Sequence, residues 1–314
     1  MKVLVTGGAG FIGSHLVERL LQEGFEVRVL DNFSTGRREN LARVASSIEL
    51  IEGDICDDQV TRQAMRAVEV VYHEAALCSV ARSVEKPQNT NCVNIDGTLN
   101  VLLAARDEKV RRLIYASSSS VYGNTAALPK QEAQTPAPAS PYAVTKLAGE
   151  LYCRTFYQLF GLETFSLRYF NVFGPRQINA SPYAAVIPRF ISALLRRESP
   201  LIYGDGQQSR DFTYVDNVVD ANMLAMKAEY GFGEALNIAC GQRTSVAQLA
   251  GYLSMLMDLA IQPVQGQPRS GDVRHSLADI ARAEAVLGYR PRCDILTGMK
   301  RTVDWYCNWH REKH

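Results

Sequence analysis

Tyr142 and Lys146, four residues apart in 141-PYAVTKLAGELY-152, set a phenol beside an ammonium on a segment that Pro141 opens as a helix. That spacing stacks both side chains on one helical face. A neighbouring cation favours the phenolate of a group that otherwise titrates near ~10, and a phenolate is what a general base needs at neutral pH. Upstream, 115-YASSSSVYGNTA-126 places four hydroxyls in a row. A small polar run of this kind reads as a linker in isolation, so its context decides whether any hydroxyl does chemistry.

A third group of residues sits at the start of the chain. Gly7, Gly10 and Gly13 form GGAGFIG directly after the apolar run KVLVT and at the mouth of FIGSHLVERLLQEG. Glycine suits a tight turn whose backbone must approach a pyrophosphate held at a helix N-terminus. Asp31 follows about 20 residues on, at the end of a second strand, where a carboxylate binds ribose hydroxyls and repels a 2′-phosphate. NAD(H) is therefore the expected cofactor. Arg37 and Arg38 read as exposed charges at a helix start. Asp54 and Ile55, after the third strand, either hydrogen-bond and pack on adenine or form a plain loop.

The elements that must carry these groups follow from periodicity. Buried strands are expected at 2–6, 26–30, 48–52, 68–73, 111–117 and 163–170, with amphipathic segments between them. This alternation predicts an α/β fold, a doubly wound parallel sheet of the Rossmann type, over residues 1–170. After Asn171 the rhythm breaks at GPRQINASPY, and helices are expected near 184–197, 216–229, 245–259, 279–287 and 297–311. A smaller C-terminal α/β substrate-binding domain is assigned to 171–314, with a segment near 213–241 returning to the first domain because ALNIAC reads as another of its strands.

Composition narrows the function further. A net charge of +1 with 21% charged residues gives no basic excess for nucleic acid. Nowhere do ~18 apolar residues run uninterrupted, and the start lacks a charged segment followed by a long apolar one, so no membrane association and a cytoplasmic protein are expected. The seven cysteines show no CxxC pair and are expected to be reduced. His73 and His275 stand without a second ligand at metal spacing, so no metal is expected.

TGGAGFIG, DNFSTG, GDI, HEAA, SSSSVYG, YAVTK, RYFNVFGPRQ, RDFTYVDN and RSGDVRHSLAD occur in this order. In order and spacing the chain resembles the extended short-chain dehydrogenase/reductase family, in its nucleotide-sugar-modifying branch. The resemblance implies that the catalytic hydroxyl is Ser118, four residues before the tyrosine of VYG, facing Tyr142 with Lys146 beyond. It gives Ser120 a substrate hydrogen bond and leaves Ser117 and Ser119 to packing. It also extends the cofactor site to Phe11, Ile12, Asn32, Ser34, Thr35, Gly36, Ala75, Asn94 and Tyr169.

Relatives that dehydrate a 4-keto sugar carry an Asp-Glu pair in this segment, and decarboxylating relatives carry a glutamate where this chain has Ser120. No acid lies between Ser117 and Tyr122, so elimination and decarboxylation are disfavoured. Reversible oxidation at C4 remains: Tyr142 takes the 4-hydroxyl proton, C4 passes hydride to nicotinamide, the 4-keto sugar turns over, and hydride returns to its other face.

The resemblance places a UDP moiety on Asn171, Arg210, Arg269 and Asp272. The two arginines suit diphosphate oxygens, Asp272 suits a ribose hydroxyl, and Tyr203 suits stacking on uracil. Ser276, three residues before the aspartate of RHSLAD, stands where a bulky aromatic would limit the sugar's C2 substituent to a hydroxyl. With Ser79, Ala185 and Val186 it resembles the pocket of epimerases for UDP-N-acetylglucosamine. Plain UDP-glucose 4-epimerisation comes second and UDP-glucuronate 4-epimerisation third, with a non-catalytic NAD-binding protein as the contrasting class. The family's dimer, built on helices such as those near 91–107 and 141–159, is the expected assembly.

Overall fold

The structure, a computed structural model, describes residues 1–178, 185–267 and 274–313. Its first half is a succession of short apolar strands: β1 (Lys2–Thr6), β2 (Glu26–Asp31), β3 (Ile48–Glu52), β4 (Val70–His73), β5 (Arg112–Ser118) and β6 (Glu163–Tyr169). Short strands follow, β7 (Val172–Phe173), β8 (Leu201–Tyr203), β9 (Ser209–Arg210) and β10 (Thr213–Tyr214), then β11 (Glu234–Ile238), β12 (Thr244–Ser245) and β13 (Val264–Gly266). Seven of them make one parallel sheet in the order β11-β6-β5-β4-β1-β2-β3. The fold is thus the expected Rossmann-type α/β architecture.

Side chains alternate across a strand, and this sheet has two cores to receive them. From β1, Val3 and Val5 join Leu16, Val17 and Leu20 on one face, while Leu4 joins Val101, Leu102 and Leu113 on the other. Both faces are covered, so the strands read as continuous apolar runs. Each fully buried Val or Leu contributes roughly 1.5–3 kcal/mol.

The helix that presents Tyr142 and Lys146 spans Pro141–Phe160. The Ser140 hydroxyl accepts from the Ala143 N–H, Pro141 occupies its first turn, and Gly161 at φ 70° ends it. Apart from Ala143, its buried residues, Tyr142, Thr145, Lys146, Gly149, Glu150, Cys153 and Phe156, form one stripe at helical spacing. Cys153 and Phe156 enter the same core as Leu113 and Tyr115 of β5, which anchors the stripe against the sheet.

Beyond β6 the short strands pair as β7 with β10, β8 with β13 and β9 with β12. The helices Val186–Leu195, Val246–Leu256 and Ile295–Lys313 supply Phe190, Leu194, Leu249, Leu253, Met299 and Val303 to the core shared with one sheet face. Two elements differ from expectation. Residues 38–47 form a 3₁₀ helix with Leu41 alone buried, and the helix expected from 91 to 107 contains a π-helical turn at Cys92–Asp96.

Candidate active site

The strand order reverses between β1 and β4, and there the carboxyl ends of the sheet part to leave a crevice. Gly7 turns out of β1 at φ +70°, and a Cβ on it would stand 2.7 Å from the backbone N and Cα of Ala75. Only glycine, with no Cβ, takes that conformation at that approach without strain. The resulting cleft, about 420 Å³, is lined by Gly7, Gly10, Phe11, Ile12, Gly13, Asp31, Asn32, Ser34, Thr35, Asp54, Ile55, Ala75, Tyr142, Lys146 and Tyr169, among others.

At one end Asp31 accepts hydrogen bonds from the N–H groups of Ala9 (2.9 Å) and Phe33 (2.8 Å). Burial raises its pKa and these two bonds oppose the rise. The carboxyl is held at the tip of β2, with Gly36 beside it. Arg37 pairs with Glu39, and Arg38 pairs with Glu52 and covers the Phe33 ring. Asp54 accepts from Asn32 Nδ2 at 2.8 Å and from the Cys56 N–H at 2.9 Å. Asn94 does not line the cleft. Its amide is spent on the Leu77 backbone and the Thr145 hydroxyl, so it braces a wall.

At the other end Ser118 closes β5, close enough to Tyr142 to lower the phenol's pKa. Ser118 Oγ also accepts from the Ser120 N–H at 3.2 Å. Lys146 Nζ donates to the Ala116 carbonyl at 2.7 Å, and burial brings its pKa down to about 8. The phenol departs from expectation. Burial raises Tyr142 above its ordinary value and Cys78 adds to the rise, while the Ser118 hydrogen bond opposes it. Ser118 lowers the phenol's pKa and so favours proton acceptance.

The four serines separate by role. Ser117 is buried and donates to Glu150, whose carboxylate takes two more hydrogen bonds from Arg168, at 2.9 and 2.7 Å. Ser120 Oγ is buried without a hydrogen-bond partner, an uncommon condition that a ligand would relieve. Ser119 begins a 3₁₀ turn, Ser119–Tyr122.

Sequence reasoning overlooked Glu74. It borders the cleft, accepts from the Tyr169 hydroxyl at 2.8 Å, and burial raises its pKa to about 7. Its charge also acts on Lys146, where it opposes the effect of burial. The motif HEAA was visible, but a single glutamate after a buried strand carries no spacing signal.

Of the residues expected on the substrate side, Ser79 caps the helix Val80–Glu85 and Ala185 caps Val186–Leu195. Asn171, at φ 36°, donates to the Asp211 carbonyl at 2.9 Å. The Arg189 guanidinium lies 5.1 Å from the centre of the Tyr203 ring. Arg210 and Ser276 meet on one strand: Arg210 donates to the Ser209 carbonyl at 3.0 Å, and the Ser276 N–H donates to the same carbonyl at 3.0 Å. Arg269 and Asp272 lie outside the described residues.

Both histidines have hydrogen-bond partners. His73 lies between Thr6 and Thr98 at 2.7 and 2.9 Å, and burial lowers its pKa to about 3; His275 bonds Ser209 at 2.9 Å. Among the described residues no group of three or more potential ligands could hold a metal ion, and no helix is long and apolar enough to cross a membrane.

This arrangement of a glycine turn at the switch point, an acidic strand tip and a Ser-Tyr-Lys group with Tyr142 and Lys146 buried defines a dinucleotide-dependent enzyme. The chain belongs to the NAD dependent epimerase/dehydratase family, whose sequence model matches residues 3–239. It is 40% identical over 312 residues to a UDP-glucose 4-epimerase of Mycolicibacterium smegmatis, covering 98% of this chain and 99% of that one. Among solved structures it resembles a UDP-N-acetylglucosamine 4-epimerase from Methanobrevibacter ruminantium M1, in complex with UDP-N-acetylmuramic acid. That match has a TM-score of 0.94 and 40% identity, covering 98% of each chain. A UDP-glucose 4-epimerase of Thermus thermophilus, in complex with NAD, matches at a TM-score of 0.89 and 36% identity, over 98% of this chain and 99% of that one.

NAD is the cofactor, and the residues present fit it. The Gly7 turn leaves room at the helix N-terminus for a pyrophosphate, and Asp31 offers a fixed acceptor for ribose hydroxyls.

Proposed function

We propose that the protein is a UDP-sugar 4-epimerase and that it interconverts UDP-N-acetylglucosamine and UDP-N-acetylgalactosamine. The observation that carries the reaction is Ser118 at the end of β5 acting to lower the pKa of the buried Tyr142 phenol, with Lys146 one helical turn on, and a segment from Ser117 to Tyr122 that holds no carboxylate. Tyr142 removes the proton of the sugar 4-hydroxyl and returns it after the sugar has turned over. Ser118 shares that proton, and Lys146 holds positive charge beside the phenol. NAD, when bound, takes the hydride from C4 and gives it back. With no carboxylate on that segment to remove the proton at C5, the ketone is left to reduction.

The two sugar nucleotides in its relatives' names, one with and one without an N-acetyl group, leave the sugar to this chain's own residues. Ser276 supports the larger substituent: its side chain is short, and its backbone is fixed to Ser209 next to Arg210, one of the residues assigned to the diphosphate. Asn171, Tyr203, Arg269 and Asp272 complete the nucleotide site in this reading, and Ser120, with its unpartnered hydroxyl, bonds the sugar. UDP-glucose is a second substrate, because a roomy pocket does not reject a smaller group strongly.

The enzyme acts in the cytoplasm as a homodimer. Val144, Leu151, Leu159 and Phe160 lie exposed along the helix Pro141–Phe160, which supports a second copy packing there. Anomeric proton NMR of the purified protein with UDP-N-acetylglucosamine, UDP-glucose and UDP-glucuronate separately tests the reading. Conversion of the first at least as fast as the second upholds it. Conversion of UDP-glucose or UDP-glucuronate alone overturns the sugar assignment, and no conversion even with added NAD overturns the reaction.

A further inference from the structure

A pair of cysteines stands beside the cofactor cleft and takes no part in the chemistry above. Cys56 follows the loop that carries Asp54 and Ile55, and Cys92 opens the π-helical turn Cys92–Asp96. Although 36 residues separate them, their Sγ atoms are 3.7 Å apart. Both are free thiols, Cys92 exposed and Cys56 partly so. The two segments are already docked. Cys56 Sγ lies 3.6 Å from the Cys92 carbonyl, and Asn100 Nδ2 donates to the carbonyls of Ile55 (3.1 Å) and Cys56 (3.2 Å).

Position gives the pair its consequence. Ile55 and Val93 both line the cleft, and each is the immediate neighbour of one of the two cysteines. We propose that Cys56 and Cys92 form a reversible disulfide on oxidation by a peroxide, and that this bridge staples the two walls at the adenine end of the cleft, slowing exchange of NAD. The placement of adenine rests on the reading of Asp54 and Ile55 given above.

The chemistry balances with the peroxide as sole oxidant. The exposed Cys92 sulfur attacks one peroxide oxygen, becoming a sulfenic acid as the other oxygen leaves in water. Cys56 sulfur then attacks the sulfenic sulfur, and the hydroxyl departs as a second water with the proton of Cys56. Two thiols lose two electrons and two protons. Burial, helped by Asp54, pushes the Cys56 thiol up, so the exposed Cys92 is the one that meets peroxide first, and Cys56 resolves because its sulfur is already at hand. An accessible bridge of this kind is reducible, as a switch in a reducing compartment must be.

The test uses the full chain loaded with isotopically labelled NAD, treated with hydrogen peroxide and then chased with unlabelled NAD. A non-reducing peptide map is expected to show Cys56 joined to Cys92, and release of label is expected to slow by about tenfold, because the walls can no longer part. Dithiothreitol should restore the original rate. Cys56→Ser and Cys92→Ser should release label equally fast before and after peroxide; if either serine variant does not fold, the dithiothreitol reversal on the wild type carries the same comparison. Peroxide that joins other cysteines such as Cys78, or leaves Cys56 and Cys92 unlinked, overturns the proposal, as does a linked protein that releases NAD as fast as the dithiol form. Neither readout needs a sugar nucleotide, so failure of the epimerase reading and failure of this one are distinguishable.

Discussion

The Tyr169 hydroxyl donates to Glu74 Oε1 at 2.8 Å while itself accepting from Asn222 Nδ2 at 2.8 Å, which fixes a carboxyl at the cleft where its charge supports that of Lys146. Glu74 titrates at about 7 and Lys146 at about 8, both displaced by burial. Above pH 7 the glutamate is charged and favours the ammonium. The ammonium is lost as pH rises through about 8. Glu74→Gln removes that support, so Lys146 should deprotonate at lower pH. The alkaline limb of the kcat/KM profile for epimerisation should move down, and an unmoved limb would leave Glu74 with a packing role only.

Tyr142→Phe keeps the ring in its buried place and removes only the proton carrier. Turnover should fall by about 10²–10⁴, the usual worth of a positioned acid or base. The amount of NAD bound per chain should not change, and absorbance of the purified variant checks that.

Ser276→Tyr should separate the two sugars. A ring at this position fills space reserved in our reading for an N-acetyl group. Conversion of UDP-N-acetylglucosamine should drop by about 10²-fold relative to UDP-glucose, within the range that pocket size gives. Equal losses on both would place Ser276 away from the C2 substituent. Competition assays with both substrates in one tube read the ratio directly.

Beneath the catalytic strand, Glu150 and Arg168 form an ion pair with side chains 7% and 4% exposed. Glu150→Ala leaves a buried guanidinium without its partner and deprives Ser117 of its acceptor. A loss of about 3–5 kcal/mol in folding stability is expected. Urea unfolding followed by circular dichroism measures it, and a change under about 1 kcal/mol, the worth of an exposed pair, would contradict the burial argument.

Much of this architecture could be read from residue order. Strands such as KVLVT, buried on both faces, announce themselves by unbroken β-branched runs, and the helix at 141 by its proline and apolar stripe. The 3₁₀ helix at 38–47 could not be read, because one buried leucine gives no period. Nor could the π turn at 92–96, whose geometry depends on neighbours rather than on its own composition. Burial works against the phenolate expectation for a related reason: helical spacing puts Tyr142 and Lys146 on one face, and both are buried there, but a spacing does not tell how deep that face will lie. Proximity across sequence, as in Glu74 with Tyr169 or Cys56 with Cys92, has no local signature.

One of the two edge strands of the sheet has a consequence for biosynthesis. β11 pairs with β6 from Glu234↔Phe165 to Ile238↔Tyr169, so the partner of β6 leaves the ribosome some seventy residues after it. Until then the nascent chain presents a bare, apolar strand edge able to pair with another chain. The intervening residues must be synthesised before that edge is sealed. A translational pause before β11 has emerged would therefore lengthen the life of an aggregation-prone intermediate.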